Sequence, residues 1–420
     1  MTNGETGWLR ALRRPMYRRV WTVFGLQQFG YWFSSIGFQW LVARETDNDA
    51  FTLSLLYFSI LLPMLLISLP AGVLADTHDR RRIVLTAQYG ILAVSAVTTT
   101  LVLLDRAPVV ALMVCGFAVG VVHSVAQPAS QALVANAVPA RDLPSAVVLQ
   151  SIAMNLARIS GPAIAGVLIL AWGAVEALIA YGLIALISMF VLRGVRVPRA
   201  TAPPGHARPR LLAGIASGLR HARARPPAAL ALAIVAVTSF FAVSYMAQLP
   251  AVAALVSDDP RTFLVLTVTG GAGSLLGVLG VALRPLSRPS VTPAAVLLLA
   301  LGACVVGLGL SRVLWVQFVL IGLCGGVQFA IMTLCNTVLQ QVVDDSHRGR
   351  VMSLYTVCWG GLLPVGGLAL GTLWHFFGPA AALCAHGAIV LAFALWVLRP
   401  GAVRVQESTV PREAAAFEAA

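Results

Sequence analysis

Twelve apolar windows recur along the chain, at 20–43, 51–75, 83–104, 108–135, 143–170, 174–192, 228–256, 262–283, 291–310, 313–341, 350–372 and 379–398. A helix of about 20 residues spans the hydrocarbon core of a bilayer. Inside lipid a backbone must satisfy its own hydrogen bonds, so runs of this length fold as helices. With 59% apolar and 11% charged residues among 420, and a mean hydropathy of +0.86, no water-soluble core could hide this much apolar surface. The expected fold is an all-α membrane protein with 12 transmembrane helices. The first run is too long for a cleaved signal and lacks a small-residue cleavage site, so it should remain as a membrane helix.

The net charge of +13 comes from 29 basic residues, all of them Arg. With the N-terminus placed in the cytoplasm, 24 of them fall on inside segments and 4 on outside turns (Arg44, Arg106, Arg261, Arg312), while Arg158 lies within a helix. The positive-inside rule then puts both termini in the cytoplasm and explains the charge without nucleic acid. The expected organisation is an N-terminal six-helix half at 1–192, a basic cytoplasmic linker at 193–227, a C-terminal half at 228–399 and a disordered tail at 400–420. Within the linker, Leu211, Leu212, Ile215 and Leu219 are spaced for a short amphipathic helix at the membrane interface. The six Cys all sit in apolar runs with no CxxC pair, which reads as buried thiols rather than a disulfide framework or zinc site.

A shift of 205 residues lays Gly72-Val73-Leu74 on Gly277-Val278-Leu279, Gly161 on Gly366 and Gly166 on Gly371. Duplicated halves of six helices, with a substrate site between them, are a transporter architecture. At this shift Val281 stands opposite Asp76 and Pro285 opposite Arg80. Shared glycine packing, with a charge switch only in the first half, is the expectation.

The turn Gly72-x-Leu74-Ala-Asp76-x-x-Asp79-Arg80-Arg81 resembles the signature between helices two and three of the major facilitator superfamily. It departs at Thr77, where a basic residue is common, and at Asp79, where Gly is usual. Asp79 makes it similar to the branch that includes the enterobactin exporter and related drug and natural-product exporters. Pro128-Ala-x-Gln-Ala-Leu133, Asn155-Leu-Ala-Arg158-x-x-Gly161-Pro162 and Arg348-Gly-Arg350-Val-Met-Ser-Leu-Tyr355 look like the same branch. The resemblance implies a secondary transporter in the inner or plasma membrane of a prokaryote, working by alternating access. It also implies a proton gradient as energy source and no cofactor.

Each group of polar residues has two readings. Gly72, Asp76, Arg80 and Arg81 form either a conformational latch or a positive-inside anchor. As a latch, Asp76 would cap the next helix or pair with Arg80, and Gly72 would let helix two pass close to the glycines of helix eleven. Gly161, Pro162 and Gly166 give a kink and tight packing on helix five. Gln28, Trp32, Ser35 and Gln39 share one face of helix one, and His123, Gln127 and Gln131 one face of helix four. With Asn155, Arg158, Tyr245, Gln248, Gln328 and Asn336 they are candidates for one substrate cavity, although any single amide could merely join two helices. Arg158 is an intramembrane cation and hence a functional candidate, or else a structural partner of Glu176 or a helix end. Asp76, Glu176, Arg158 and His123 are the candidate proton-coupling groups. No P-loop, nucleophile elbow or zinc helix occurs, so neither ATP drive nor an enzyme is expected.

The reading that results is a proton-coupled exporter of a small amphipathic organic molecule, such as a siderophore, natural product or drug. An importer or uniporter of a small metabolite such as a sugar is the alternative, and a non-transporting membrane sensor or scaffold is the rival of another class. The expected partners are the bilayer and the small organic substrate, with the chain acting as a monomer.

Overall fold

A computed structural model describes residues 7–195, 211–283 and 290–399. Among them every regular element is helical, and ten helices are long and apolar enough to cross a membrane. The described residues up to 195, together with Asp259–Gly271, form one compact unit; those of 211–258 and from Ala272 onward form a second.

In the first unit, a 3₁₀ turn at Gly7–Arg13 leads into α1 (Pro15–Glu45), whose first position is Pro, with φ already suited to a helix. α1 stops at a turn in which Asp47 and Asn48 take positive φ. Asp49 then caps α2 (Ala50–Thr77) by accepting from Thr52 N at 2.7 Å. α3 (Arg80–Leu103), α4 (Val109–Asn136), α5 (Leu143–Ala171) and α6 (Ala174–Arg193) follow. α1 packs on α4, α5 and α6, α2 on α4, and α3 on α4 and α6.

The base of this unit is pinned from the N-terminal side. Ala11 N donates to Ser145 Oγ at 3.0 Å, Tyr17 OH to Ala146 O at 3.0 Å and Trp21 Nε1 to Leu149 O at 2.9 Å. Arg14 Nε meets Asp142 Oδ2 at 3.2 Å.

The second unit opens with the short linker helix that the Leu and Ile spacing predicts, α7 (Leu211–Arg223). The apolar run beginning at Pro226 is not one continuous α-helix. It is α8 (Pro226–Val237), a π-helical turn (Thr238–Ala242), a 3₁₀ turn (Ser244–Gln248) and α9 (Leu249–Ala254). α10 (Arg261–Leu283) starts in the first unit and continues into the second. α11 (Thr292–Leu310), α12 (Leu314–Val342) and α13 (Asp345–Thr356) come next. A second π turn (Val357–Gly361) leads into α14 (Leu362–Val397), which breaks at Gly378 with φ 82°.

Gly173, before α6, is the other described glycine at positive φ. Gly173 and Gly378 are 205 residues apart, so the tight turn recurs at the offset read from sequence. Only glycine adopts such backbone freely.

Candidate functional site

The 72–82 turn is built from helix ends. Asp79 caps α3 by accepting from Arg82 N at 3.2 Å. Arg80 Nε donates to Ala75 O at 3.0 Å, near the end of α2. Arg81 Nε donates to Leu192 O at 2.8 Å and its Nη2 to Arg193 O at 3.0 Å, closing the end of α6. Cations at helix C-termini satisfy orphan carbonyls and complement the dipole. Arg82 is 79% exposed, with Asp79 at 4.0 Å. The Asp76 carboxylate lies outside the described side chains.

Beside this turn the ends of α2, α3 and α4 enclose a partly open cleft of about 780 Å³. It is lined by His78 and Arg80–Arg82 together with Gly90, Val122 and Val125.

Gly72 behaves differently from the expectation of shared glycine packing. A Cβ there would meet no atom of its own unit within 4 Å, whereas one on Gly277 would lie 2.0 Å from Gly326 O. The glycine contact is therefore not repeated between these two positions: Gly277 faces the backbone of α12, and Gly72 has open space around it. The glycines of helix eleven are engaged inside their own unit, Gly366 against Phe240 O and Gly367 against Ala247.

On helix one, Trp32 rests on Gly161, where an added Cβ would come within 2.4 Å of the indole. Trp32 meets Tyr31 edge-on at 5.6 Å, and Tyr31 stacks on His123 at 4.4 Å. Trp32, Gly161 and His123 thus join one aromatic cluster. Gly166 faces the backbone of Leu264, 3.0 Å from the position of an added Cβ, and Pro162 is buried within the unbroken α5. Gln39 is buried, and Gln28 Oε1 is buried without a hydrogen-bond partner among the described residues. Its neighbour Gln27 takes a bond from Ser130 at 2.9 Å. Gln127 and Arg158 are half-buried, and the exposed Asn155 turns its amide back to Ser151 O.

In the second unit Tyr245, Gln248 and Gln328 lie inside the helix packing. Gln248 Nε2 donates to Gly367 O at 2.6 Å, joining helix seven to helix eleven. Asn336 is half-buried and accepts from Gln340.

Sequence reasoning missed His386. It is buried on α14, its Nδ1 lying 3.1 Å from Ser244 Oγ and 3.2 Å from Phe241 O. These partners flank the point where the π turn gives way to the 3₁₀ turn, and Ser244 Oγ in turn donates to Phe241 O at 3.0 Å, so His386 joins a small polar knot at the irregular helix. The 205-residue shift pairs it with Tyr181, whose ring lies over Gly30 of the continuous α1. That substitution was the only sequence signal available.

The chain belongs to the transmembrane secretion effector family, which it matches over residues 6–418. It is therefore a major facilitator transporter and not an enzyme, a multi-pass protein whose apolar helices fit a plasma membrane.

Among its relatives is the staphyloferrin A transporter of Staphylococcus aureus, 25% identical over 357 residues that cover 83% of this chain and 87% of that one. Another is the multidrug efflux pump Tap of Mycobacterium tuberculosis, 28% identical over 391 residues, 88% of this chain and 90% of that one. The fold is shared with a bacterial homologue of the human lysosomal transporter Spinster (TM-score 0.64, 16% identity, 96% of each chain). It is also shared with the nucleoside transporter NupG (TM-score 0.67, 10% identity, 91% of this chain and 98% of that one).

Proposed function

We propose that this protein exports a small amphipathic organic molecule, of siderophore, natural-product or drug type, by proton-coupled alternating access. The observation that carries the reading is the match to a secretion family along almost the whole chain. Relatives named for staphyloferrin A transport and for multidrug efflux support the substrate class. The Trp32–Tyr31–His123 cluster is an apolar face with polar edges, suited to such a solute.

The same reading takes twelve spans in two halves, with both termini in the cytoplasm. It adds to the ten apolar helices α1, which is 31 residues long, and separates α14 at Gly378. The Gly72–Arg82 turn is read as the cytoplasmic latch of the first half. The transporter works as a monomer in lipid, without a cofactor.

Everted vesicles carrying the protein are expected to accumulate a lipophilic dye or staphyloferrin A when a proton gradient is imposed. Uptake indifferent to collapse of the gradient would remove proton antiport. Asp76→Asn is expected to slow turnover by about tenfold, roughly 1.4 kcal/mol of barrier, with substrate binding retained. Normal turnover would reduce the turn to an anchor.

A further inference from the structure

At the base of the second unit, α7 is fastened to α13 by two sets of contacts. In the first, Arg350 Nη1 donates to Ser217 Oγ at 2.8 Å. Gly218 comes so close that an added Cβ would lie 3.1 to 3.2 Å from the Cβ, C and O of Arg350. In the second, the rings of His221 and His347 stack with centroids 4.0 Å apart and planes 7° from parallel. Arg225 Nη1 lies 2.8 Å from His221 Nε2 and 3.2 Å from its Nδ1. Arg225 Nη2 donates to Asp344 Oδ2, which is 3.6 Å from His221 Nε2.

A guanidinium carries donors only, so an imidazole nitrogen that it bonds must be an unprotonated acceptor. The His221 side chain is 11% exposed, and the Arg225 cation lies within 3.2 Å of both its ring nitrogens, so a proton on the ring would set a like charge directly against the guanidinium. Burial first, then Arg225 and His347, lower its pKa below the ordinary imidazole value, while Asp344 acts in the opposite direction. The other described charged side chains on α7 and α13 are Arg220, Arg223 and Arg350, all cations. α8 packs on both α7 and α13, α12 packs on α13, and neither carries a charged residue.

The cluster is poorly arranged for a metal ion. Stacked rings hold their in-plane lone pairs in two parallel planes about 4 Å apart instead of aiming them at one point between the rings, and Arg225 already supplies the cation beside Asp344.

We propose that this cluster is an acid-sensitive joint, which fastens linker helix α7 to the base of helix eleven at neutral pH and releases it when His221 takes up a proton. The sign follows from linkage. The docked state binds the His221 proton more weakly than the undocked state, so docking is strongest above about pH 6.5, the ordinary imidazole value. Below that value it weakens by at most about tenfold per pH unit for the one excluded proton. Buried histidines that lose a packed neutral arrangement on protonation are the usual physical basis of such switches.

Hydrogen exchange of the full chain in lipid nanodiscs, corrected for intrinsic exchange rates, tests the joint at about pH 7.5 and about pH 5.5. The protection of α7 is expected to fall by about five- to tenfold at the lower pH. The Gly7–Arg13 segment, held through Arg14 and Asp142 with no imidazole, should keep its protection in the same sample. His221→Phe keeps a flat ring and removes the proton site, and His221→Gln keeps an acceptor for Arg225; each should abolish the response of α7. The Gln variant decides if the Phe variant does not fold. Unchanged α7 protection in the unmodified protein, or a response that survives in the His221 variant, overturns the proposal. Zinc ions that protect α7 at neutral pH through His221 would also overturn it, by making the cluster a metal site.

Discussion

The bases of the two units perform one task with different chemistry. In the first, the chain preceding α1 is pinned to the start of α5 by the pair Arg14–Asp142, whose carboxylate is 4% exposed. In the second, the helix preceding α8 is pinned to the start of α13 through Arg225, Asp344 and two stacked imidazoles, with Asp344 56% exposed. The 205-residue shift lays Asp142 on His347.

The two units share particular close contacts and a tight turn, but differ in helix regularity and in the side chains that pin their bases. The close helix crossing recurs as Gly161 against Trp32 and Gly366 against Phe240 O, and the tight turn as Gly173 and Gly378. By contrast, α1 and α5 are continuous α-helices, while the runs at the matching positions each contain a π turn. Broken helices are tolerated at membrane depth where protein serves the backbone groups, and here His386 Nδ1 lies 3.2 Å from Phe241 O of the π turn.

The largest effect should come from the glycine contrast. Gly277→Ala forces a methyl to within 2.0 Å of the Gly326 carbonyl oxygen, and Gly72→Ala meets nothing in its own unit. The first should cost about 3 kcal/mol, at the upper end for overpacking, and the second less than about 0.5 kcal/mol. Thermal unfolding in detergent measures both, and equal losses would break the contrast.

Next are the two carboxylates of the base joints. Asp142→Asn weakens a charge-assisted bond from a buried acceptor and should cost about 2 kcal/mol. Asp344→Asn, at an exposed site, should cost below about 1 kcal/mol at neutral pH. A larger loss at Asp344 in the same melting assay would reverse the ranking of the joints.

The smallest pair separates structural from anchoring arginines in the 80–82 run. Arg81→Gln should cost about 1 kcal/mol, because two carbonyls at the end of α6 lose their charged donor. Arg82→Gln should be close to silent, as expected for an exposed cation with a distant partner. Indistinguishable melting temperatures would return both residues to plain anchoring.

Much of the fold was legible because hydropathy in lipid is a strong and local constraint. The apolar helices, ten of them of membrane-crossing length among the described residues, and the linker helix followed from run length and Leu spacing. The site was less legible. Trp32 and His123 could be placed on polar stripes of their helices, but that Tyr31 links them required two helices to be positioned together. Gln248 read as a cavity residue, yet its amide is committed to Gly367 O, a pairing 119 residues away in sequence. The role of Arg81 at the end of α6 was equally hidden, since it depends on which helix terminus arrives beside it.

What the sequence determined by itself is the solvent and the class: apolar runs of bilayer length and a signature turn specify a helical membrane transporter. The tertiary structure decided which charges are paired, which glycines are tight and where helices seven and eleven depart from regular α geometry. The physical reason is range. Burial in lipid acts on each segment alone, whereas a hydrogen bond or a ring contact exists only when two distant segments meet, as Gln248 Nε2 and Gly367 O do at 2.6 Å and the His221 and His347 rings at 4.0 Å.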